Sequence, residues 1–379
     1  MDLDTLYCSL LTLLCTPQLV SNWPLLWGSE SDHNTDNRQG KVLNFFPVPV
    51  SDECMANDGR RSGVCMNTYE CRIQNGESMG HCAMGLGVCC VFTASCDQEA
   101  YNNITYFVNP HFPGLVNSPA VCTLYVRKIA PSISQIRLDF VHFSLGQPNR
   151  RTGVCDTDVF IMKGGISREL RLCGYNSGQH VYYDVDNVKE PISITMNMSK
   201  EHQDRLWEIK ISQIEFRRRA PPGCLQYHRG SSGIIQTMNF AVNGRHLANQ
   251  DYSICVRQEL GMCSIAYEPC DENSFKIGPP IQSDEGSGDG GRASLSECDD
   301  RITLPCDFEE FIMPKGSPGV CDLLHCGNSF CKENEMPCRI ESSTTPFTIQ
   351  VQFGPGLREE SPEDNLGMCL RYQQQPCNP

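Results

Sequence analysis

Two carboxylates lie just before a segment of strand-forming residues near the middle of the chain. Asp156 and Asp158 stand in "CDTDVFIMKGG", which begins at Cys155. Carboxylate oxygens are ligands that calcium prefers, and a carboxylate pair can perform acid–base catalysis when a cleft encloses it. The alternative is that both side chains are solvent-facing charges at the start of a strand. The segment therefore gives two hypotheses, a calcium ligand at Asp158 or surface charges without a site.

The sequence lacks the segments that position a catalytic nucleophile or a zinc-bound water. Gly-Asp-Ser-Gly-Gly and Ala-Ala-His-Cys do not occur, and neither does His-Glu-x-x-His. The nine histidines are scattered along the chain. We therefore predict a protein that is not an enzyme and that has no cofactor, with calcium at Asp158 as the alternative.

Two asparagines stand in the Asn-x-Ser/Thr acceptor motif for N-linked glycans, Asn103 and Asn197. Asn197 falls on the polar phase of an alternating segment, so that a glycan there would point away from the core. The alternative is that the motifs are unused.

An acidic, glycine-rich segment around Ser287, "DEGSGDG", resembles the attachment site of a glycosaminoglycan chain. Enzyme access to such a site requires an exposed and flexible segment, and this composition is typical of one. The alternative is an acidic linker.

Cysteine content indicates an oxidising compartment. The chain of 379 residues has 24 cysteines, more than thiol-reducing compartments favour. Leu6–Val20 form a mostly apolar segment that is too short and interrupted to span a bilayer, and residues 1–21 are interpreted as a signal peptide. A misassigned start codon is the alternative. Removing Cys8 and Cys15 with this segment leaves an even number of cysteines, as full pairing requires. We predict a secreted, extracellular protein.

Charge and hydropathy exclude two classes of partner. The formal net charge of −14 argues against nucleic acid, whose phosphates need clustered Lys and Arg. No later apolar segment is long enough for a membrane helix. The basic run Arg217-Arg218-Arg219 lies in a segment, 215–223, that we interpret as a basic, proline-containing linker. A processing-protease site is the alternative.

Six cysteines between residues 54 and 90 lie in a segment too poor in apolar residues to build a core. Such a segment needs cross-links, and six cysteines allow fifteen connectivities. Zinc is the competing interpretation, but paired Cys-x-x-Cys ligands are absent. The arrangement, which closes on Cys89-Cys90, resembles the clip module of arthropod extracellular proteins. Residues 22–53 before it are interpreted as a leader or linker.

The segments that contain Asp156, Asp158 and Asn197 are predicted to be near or within β-strands. Apolar residues alternate with polar ones in three segments, around Leu138, Ile194 and Ile209, which is the period of half-buried strands. Turn-rich intervals separate them. Many short strands with turns between them predict an antiparallel sandwich.

Residues 96–214 resemble a CUB domain. The similarity rests on ordered cysteines and strand patterns, namely Cys96, "NPHFPGLVNSPAVC" ending at Cys122, "IRLDFVHFSL", Cys155-x-x-Asp158, Leu172-Cys173-Gly174, "PISITMN" and "LWEIKISQI". It implies a β-sandwich of jelly-roll type with bridges Cys96–Cys122 and Cys155–Cys173. It also implies Asp158 as a calcium ligand, although Gly146 stands where the family has an acidic ligand and Asp204 is out of register as a third.

A second, divergent copy is predicted for residues 224–379. "CDFEEFIMPKGS", starting at Cys306, repeats much of "CDTDVFIMKGG", with Glu309 in place of Asp158. The resemblance implies bridges Cys224–Cys255 and Cys306–Cys326 and leaves eight cysteines unassigned. Residues 277–297 are acidic and rich in Gly and Ser, and are interpreted as a disordered insert.

The predicted fold class is therefore all-β, with two CUB-like antiparallel sandwiches after a small disulfide-rich module. The resemblance is to secreted arthropod CUB-domain proteins with an N-terminal clip-like segment. It implies a non-enzymatic protein that binds extracellular proteins or glycans. The alternatives are a non-catalytic regulator or cofactor in an extracellular protease cascade, and a structural component of matrix or cuticle.

Overall fold

A computed structural model describes residues 53–240, 244–279, 298–305, 323–331, 337–357 and 361–377. These residues form 23 strands and one short α-helix. Residues Phe46–Pro379 constitute one compact unit, within which two β-sandwiches follow a small module. The predicted all-β class is confirmed.

The small module contains four strands and helix α1. Its elements are β1 (Glu53–Met55), β2 (Ser62–Met66), α1 (Thr68–Ile73), β3 (Glu77–Cys82) and β4 (Gly87–Ala94). The side chain of Asn67 caps α1 by accepting the N–H of Tyr69 at 2.8 Å. The connectivity left open by the sequence is Cys54–Cys89, Cys65–Cys82 and Cys71–Cys90.

The first sandwich follows directly. Its strands are β5 (Gln98–Ala100), β6 (Ile104–Val108), β7 (Ala120–Val126), β8 (Ile133–Ser144), β9 (Asp158–Lys163), β10 (Leu170–Leu172), β11 (His180–Asp184), β12 (Ile192–Met198) and β13 (Leu206–Glu215). One sheet contains β6-β13-β8-β11 and the other β10-β9-β12-β7-β5. The alternation predicted for β8, β12 and β13 is confirmed, since Leu138, Ile194 and Ile209 are fully buried between the sheets.

Strand β4 belongs to both the module and the first sandwich. It pairs with β2 and β3 of the module and, in parallel, with β6 of the sandwich. The module therefore covers the outer face of the β6-β13 sheet. There Arg61 Nε donates to Glu208 at 2.6 Å, and the backbone N–H of Ser62 donates to the hydroxyl of Tyr106 at 2.8 Å. This is why Glu208, on the polar phase of β13, is only 6% exposed.

The second sandwich has ten described strands. They are β14 (Cys224–His228), β15 (Ser232–Gln236), β16 (Gln250–Val256), β17 (Met262–Pro269), β18 (Phe275–Lys276), β19 (Arg301–Thr303), β20 (Leu324–His325), β21 (Ile340–Ser342), β22 (Phe347–Phe353) and β23 (Gly367–Pro376). The sheets are β14-β16-β22-β19-β20 and β15-β23-β17-β21, with β18 on β23. Most pairs are antiparallel as predicted, but β4–β6, β5–β7 and β14–β16 are parallel.

The two sandwiches share an order of strands, with one change from the predicted alignment. Strand β12 lies between β7 and β9, and β22 lies between β16 and β19. The strand that corresponds to β9 is therefore β19, Arg301–Thr303, which precedes Cys306. The "CDFEEFIMPKGS" segment, including Cys306 and Glu309, lies outside the described residues.

The bridge predicted between Cys306 and Cys326 is wrong, because Cys326 pairs with Cys298. Strand β19 is antiparallel to β20, with Ile302 opposite His325. The beginning of β19 therefore lies beside Cys326, and Cys298 is three residues upstream, as Cys155 is upstream of Asp158. The Cys96–Cys122, Cys155–Cys173 and Cys224–Cys255 bridges are present as the resemblance implies.

Three further bridges join cysteines that had no assigned partner, Cys263–Cys377, Cys270–Cys369 and Cys331–Cys338. The predicted insert begins too early at residue 277. Ile277 is fully buried and its N–H donates to the carbonyl of Gly327 at 2.9 Å. Residues 280–297, with Ser287, lie outside the described residues.

Candidate functional site at the junction of the two sandwiches

Asp158, the residue singled out by the sequence, opens β9 with its carboxylate fully buried. Arg205, just before β13, donates from Nε to Oδ2 at 2.6 Å and from Nη2 to Oδ1 at 2.8 Å. The backbone N–H of Gly146 donates to Oδ2 at 2.8 Å. A Cβ at Gly146 would lie 2.9 Å from that oxygen, so glycine permits this close approach of the backbone.

The structure does not support the calcium hypothesis for Asp158. Both carboxylate oxygens bind the guanidinium of Arg205, so the chain itself supplies the positive charge. Asp156 and Asp204 are exposed, and Asp156 accepts a hydrogen bond from Asn149 at 3.4 Å. Within the described ranges, no three His, Cys, Asp or Glu side chains are grouped to hold a metal ion.

Sequence reasoning missed Arg205, although the pattern contained a signal for it. Arg205 is two residues before Trp207, so it continues the buried phase of β13, and both residues are fully buried. A charged residue on an inward-facing phase needs a buried partner of opposite charge. Asp158 lies on the buried side of its own strand and meets that need.

The junction between the sandwiches is built around Asn239 of the second sandwich. Its Oδ1 accepts the N–H of Tyr175 at 2.7 Å, and its own N–H donates to Oδ1 of Asn176 at 2.7 Å. Its Nδ2 donates to Oε1 of Gln147 at 3.1 Å and to the carbonyl of Arg245 at 2.8 Å. Asn239 is fully buried with φ 63°, a conformation that asparagine tolerates well. The side-chain amide of Asn239 thus forms hydrogen bonds with both sandwiches.

Additional hydrogen bonds cross the junction along its length. Gln179 donates to the carbonyl of Thr237 at 3.2 Å, and the N–H of Ala248 donates to the carbonyl of Gly153 at 2.9 Å. Gln135 binds both backbone groups of Ala220, just before β14. These directed contacts join the two sandwiches within one compact unit.

A histidine pair lies at the edge of the junction where β11 meets β14. The rings of His180 and His228 are 5.0 Å apart, and Nε2 of His180 accepts the N–H of Tyr227 at 3.2 Å. Burial, with His180 and Arg137 nearby, lowers the pKa of His228 to about 4. Burial and Arg137 also lower the pKa of His180. Both imidazoles are therefore neutral at pH 7.

A cleft of about 720 Å³ opens between the sandwiches. Its walls include Tyr182 and Tyr252, and its lining carries charges of both signs. Arg168 of the first sandwich lies 3.6 Å from Asp251 of the second, and their side chains are 89% and 47% exposed. Clefts at domain boundaries are frequent binding sites in proteins.

The two predicted glycan acceptors lie apart from the cleft, both on the first sandwich. Asn197 is exposed on β12, as its polar phase predicts. Asn103 is half-buried, and its Oδ1 accepts the N–H of Gln213 at 3.0 Å. No helix among the described residues has the length and apolar content to cross a bilayer.

Comparisons with known proteins bear on the second sandwich. Residues 221–375 match the family model of the animal CUB domain. No curated protein matches the chain.

Solved structures similar to this chain include the CUB1-EGF-CUB2 domains of rat MASP-1, at 13% identity and a TM-score of 0.26, covering 74% of this chain and 99% of that one. The CUB1-EGF-CUB2 domain of human MASP-1/3 is 14% identical with a TM-score of 0.25, covering 72% and 100%. The full extracellular region of zebrafish Gpr126/Adgrg6 is 13% identical with a TM-score of 0.27, covering 73% and 36%. TM-scores this low support no conclusion about this chain. The family-model match covers the second sandwich, which is similar to the animal CUB domain.

Proposed function

We propose that this protein is secreted and acts without catalysis, by binding an extracellular protein in the cleft between its two sandwiches. The CUB domain supports a role in extracellular interactions. The first sandwich, whose strand order resembles that of the second, is proposed to be a CUB domain as well. The disulfide-linked module at residues 54–90 is proposed to be clip-like and to brace the outer face of the first sandwich.

The observation that carries the proposal is the exposed ion pair across the cleft. Arg168 and Asp251 belong to different sandwiches and lie 3.6 Å apart, with both side chains accessible to water. Such a pair contributes only about 0–1 kcal/mol to stability. Little is therefore lost when each charge exchanges its partner for a charge on a bound polypeptide.

The character of the lining favours a polypeptide over an apolar small molecule. Glu169 and Arg171 form a second exposed ion pair at 2.8 Å in the lining of the cleft. Accessible charges of both signs suit a loop that carries both Lys or Arg and Asp or Glu.

A charge swap tests this site without removing the intramolecular pair. The double variant R168D/D251R keeps opposite charges across the cleft but reverses the sign of the charge that a partner contacts at each position. The matched control is E99R/R127E, which swaps an exposed ion pair of 2.9 Å on the far side of the first sandwich. Both variants should unfold at the wild-type temperature.

Immobilised wild-type protein and both variants would be incubated with extracellular fluid of the source, and captured proteins quantified by mass spectrometry. We expect a protein bound by wild type and by the control swap but reduced at least tenfold on R168D/D251R. Retention of every specifically captured protein by R168D/D251R would reject the cleft as the binding site.

A further inference from the structure

The outer face of one sheet of the first sandwich is free of charge along its two central strands. On β12 this face presents Ser193, Thr195 and Asn197, and on β7 it presents Val121, Thr123 and Tyr125. The last three are called the β7 strip below. Thr123 and Thr195 are joined by a hydrogen bond of 3.0 Å between their hydroxyls. These two strands therefore present uncharged side chains on this face, while Lys163 of the neighbouring strand β9 lies opposite Ser193.

The β7 strip exposes apolar side chains at both ends. Val121 is 64% exposed and Tyr125 is 43% exposed. Glu99, which is ion-paired with Arg127, lies directly opposite Tyr125 on the neighbouring strand β5, so the strip has a charged neighbour at that end. Exposed apolar side chains on a sheet face promote association between chains unless they are covered.

The acceptor motif of Asn197 lies beside this strip. Asn197 is directly opposite Val121 in the antiparallel pair of β12 with β7, and side chains so placed have Cβ atoms about 5 Å apart on one face. Tyr125 is four residues along β7, about 13 Å at 3.3 Å per residue. An oligosaccharide attached to Asn197 thus begins at Val121 and can extend over the strip toward Tyr125.

We propose that Asn197 carries an N-linked glycan that lies over the β7 strip and prevents this face from associating with other chains. In the modification, Nδ2 of Asn197 bonds to the anomeric carbon of an oligosaccharide, the bond from that carbon to the diphosphate of a lipid-linked donor breaks, and one Nδ2 proton leaves. The inference rests on the secretion part of the proposed function and not on the cleft.

Asn103 provides a matched comparison within the same sandwich. It also stands in an acceptor motif, but it lies next to β6 in the opposite sheet, and its Oδ1 is bound to the N–H of Gln213. A glycan at Asn103 therefore begins away from the β7 strip. Loss of a glycan from Asn103 should leave the strip covered.

The test uses the full chain expressed by a eukaryotic secretory host. N197Q and S199A each destroy the acceptor motif, and S199A keeps the asparagine. We expect both to lose the mass of one glycan, and to show at least a threefold higher oligomer fraction by light scattering than wild type. Native deglycosylation of the folded wild type should have the same effect without any substitution.

Two further variants separate the glycan from general damage. N103Q should remain as monomeric as wild type, and N197Q with V121T and Y125T should return to the wild-type oligomer fraction because the strip is no longer apolar. An unchanged mass for N197Q would overturn the inference, and so would an N197Q protein as monomeric as wild type. Equal association of N103Q and N197Q would do the same. Arg168 and Asp251 are not on β7 or β12, so failure of the cleft swap leaves these outcomes unaffected.

Discussion

Arg205 and Asp158 form a bidentate ion pair in the interior of the first sandwich, with Nε–Oδ2 at 2.6 Å and Nη2–Oδ1 at 2.8 Å and neither side chain exposed. Arg205 also donates from Nη1 to the carbonyl of Gln203 at 2.9 Å and from Nη2 to that of Lys200 at 2.6 Å. The guanidinium thus joins the start of β9 to the segment that leads into β13.

Replacing Arg205 with leucine should destabilise the protein strongly. The substitution leaves the carboxylate of Asp158 buried without its counter-charge, which typically costs about 3–5 kcal/mol. Chemical denaturation followed by tryptophan fluorescence would measure the change, since Trp207 is fully buried nearby. R171L, at an exposed arginine paired with Glu169, is the control and should cost under about 1 kcal/mol. Similar losses for both variants would contradict the account.

Removal of divalent cations should leave the first sandwich unchanged. Arg205 supplies within the chain the positive charge that a bound cation would otherwise bring to Asp158. We expect the same melting temperature, within about 1 °C, in millimolar EDTA and in millimolar calcium. A calcium-dependent rise that disappears in D158N would show that Asp158 is a calcium ligand after all.

Acidification should weaken the junction through His228. Its pKa is lowered from 6.5 to about 4 in the folded protein, so the unfolded chain takes up this proton first as the pH falls. Stability present above pH 6.5 is therefore lost between pH 6.5 and 4, and the loss should reach about 2 kcal/mol after allowance for solvent screening. H228Q should show a shallower decline over this interval in denaturation curves. Parallel pH profiles for wild type and H228Q would contradict the assignment.

Disulfide mapping distinguishes the observed bridge from the one that the sequence resemblance implied. Digestion of the non-reduced protein with trypsin and Asp-N separates Cys298 from Cys306 at Arg301, Cys306 from Cys321 at Asp307, and Cys321 from Cys326 at Asp322. Fragment 322–332 holds both Cys326 and Cys331, so we expect it to be linked to the fragment that contains Cys298 and to the fragment that contains Cys338. A product in which the fragment 302–306 replaces the Cys298 fragment, with the Cys338 fragment retained, would instead support Cys306–Cys326.

Loss of the Asn239 side chain should loosen the junction between the sandwiches. N239G keeps the positive φ accessible but removes the amide that serves Tyr175, Gln147 and the carbonyl of Arg245. Unsatisfied buried groups cost about 1–3 kcal/mol each, so we expect about 2–4 kcal/mol in total. N249G is the matched control, because Asn249 also has positive φ (58°) and is exposed. Small-angle scattering should show a larger radius for N239G alone.

Periodicity in the sequence predicted the strands of the first sandwich because each half-buried strand carries its own pattern. The buried residues of β8, β12 and β13 could be predicted from each strand's own sequence, without knowing which strands pair with it. Burial of Glu208 could not be predicted, since it depends on a module more than a hundred residues away that brings Arg61 to it. Burial of a side chain by a module distant in sequence produces no pattern in the residues around that side chain.

The cysteines show a second limit of sequence reasoning. The similarity between "CDTDVFIMKGG" and "CDFEEFIMPKGS" suggested an alignment, whereas the pairing of β19 with β20 and β22 assigns the equivalent strand to Arg301–Thr303. Pairing partners decide which cysteines meet, and short sequence repeats do not. The ion pair between Asp158 and Arg205 could have been predicted from the sequence, because Arg205 continues the buried phase of its strand.

Strand β4 limits how this chain could be divided or recombined. Phe92 and Ala94 of β4 pair with Thr105 and Phe107 of the first sandwich. Cys89 and Cys90 of the same strand form disulfide bridges of the module. A division of the chain between the module and the first sandwich therefore disrupts one of them. A chain that began after residue 94 would lose a neighbour of β6 and uncover Ile104 and Tyr106, each at most 4% exposed. The N-terminal module and the first sandwich therefore share one strand and form a single structural unit.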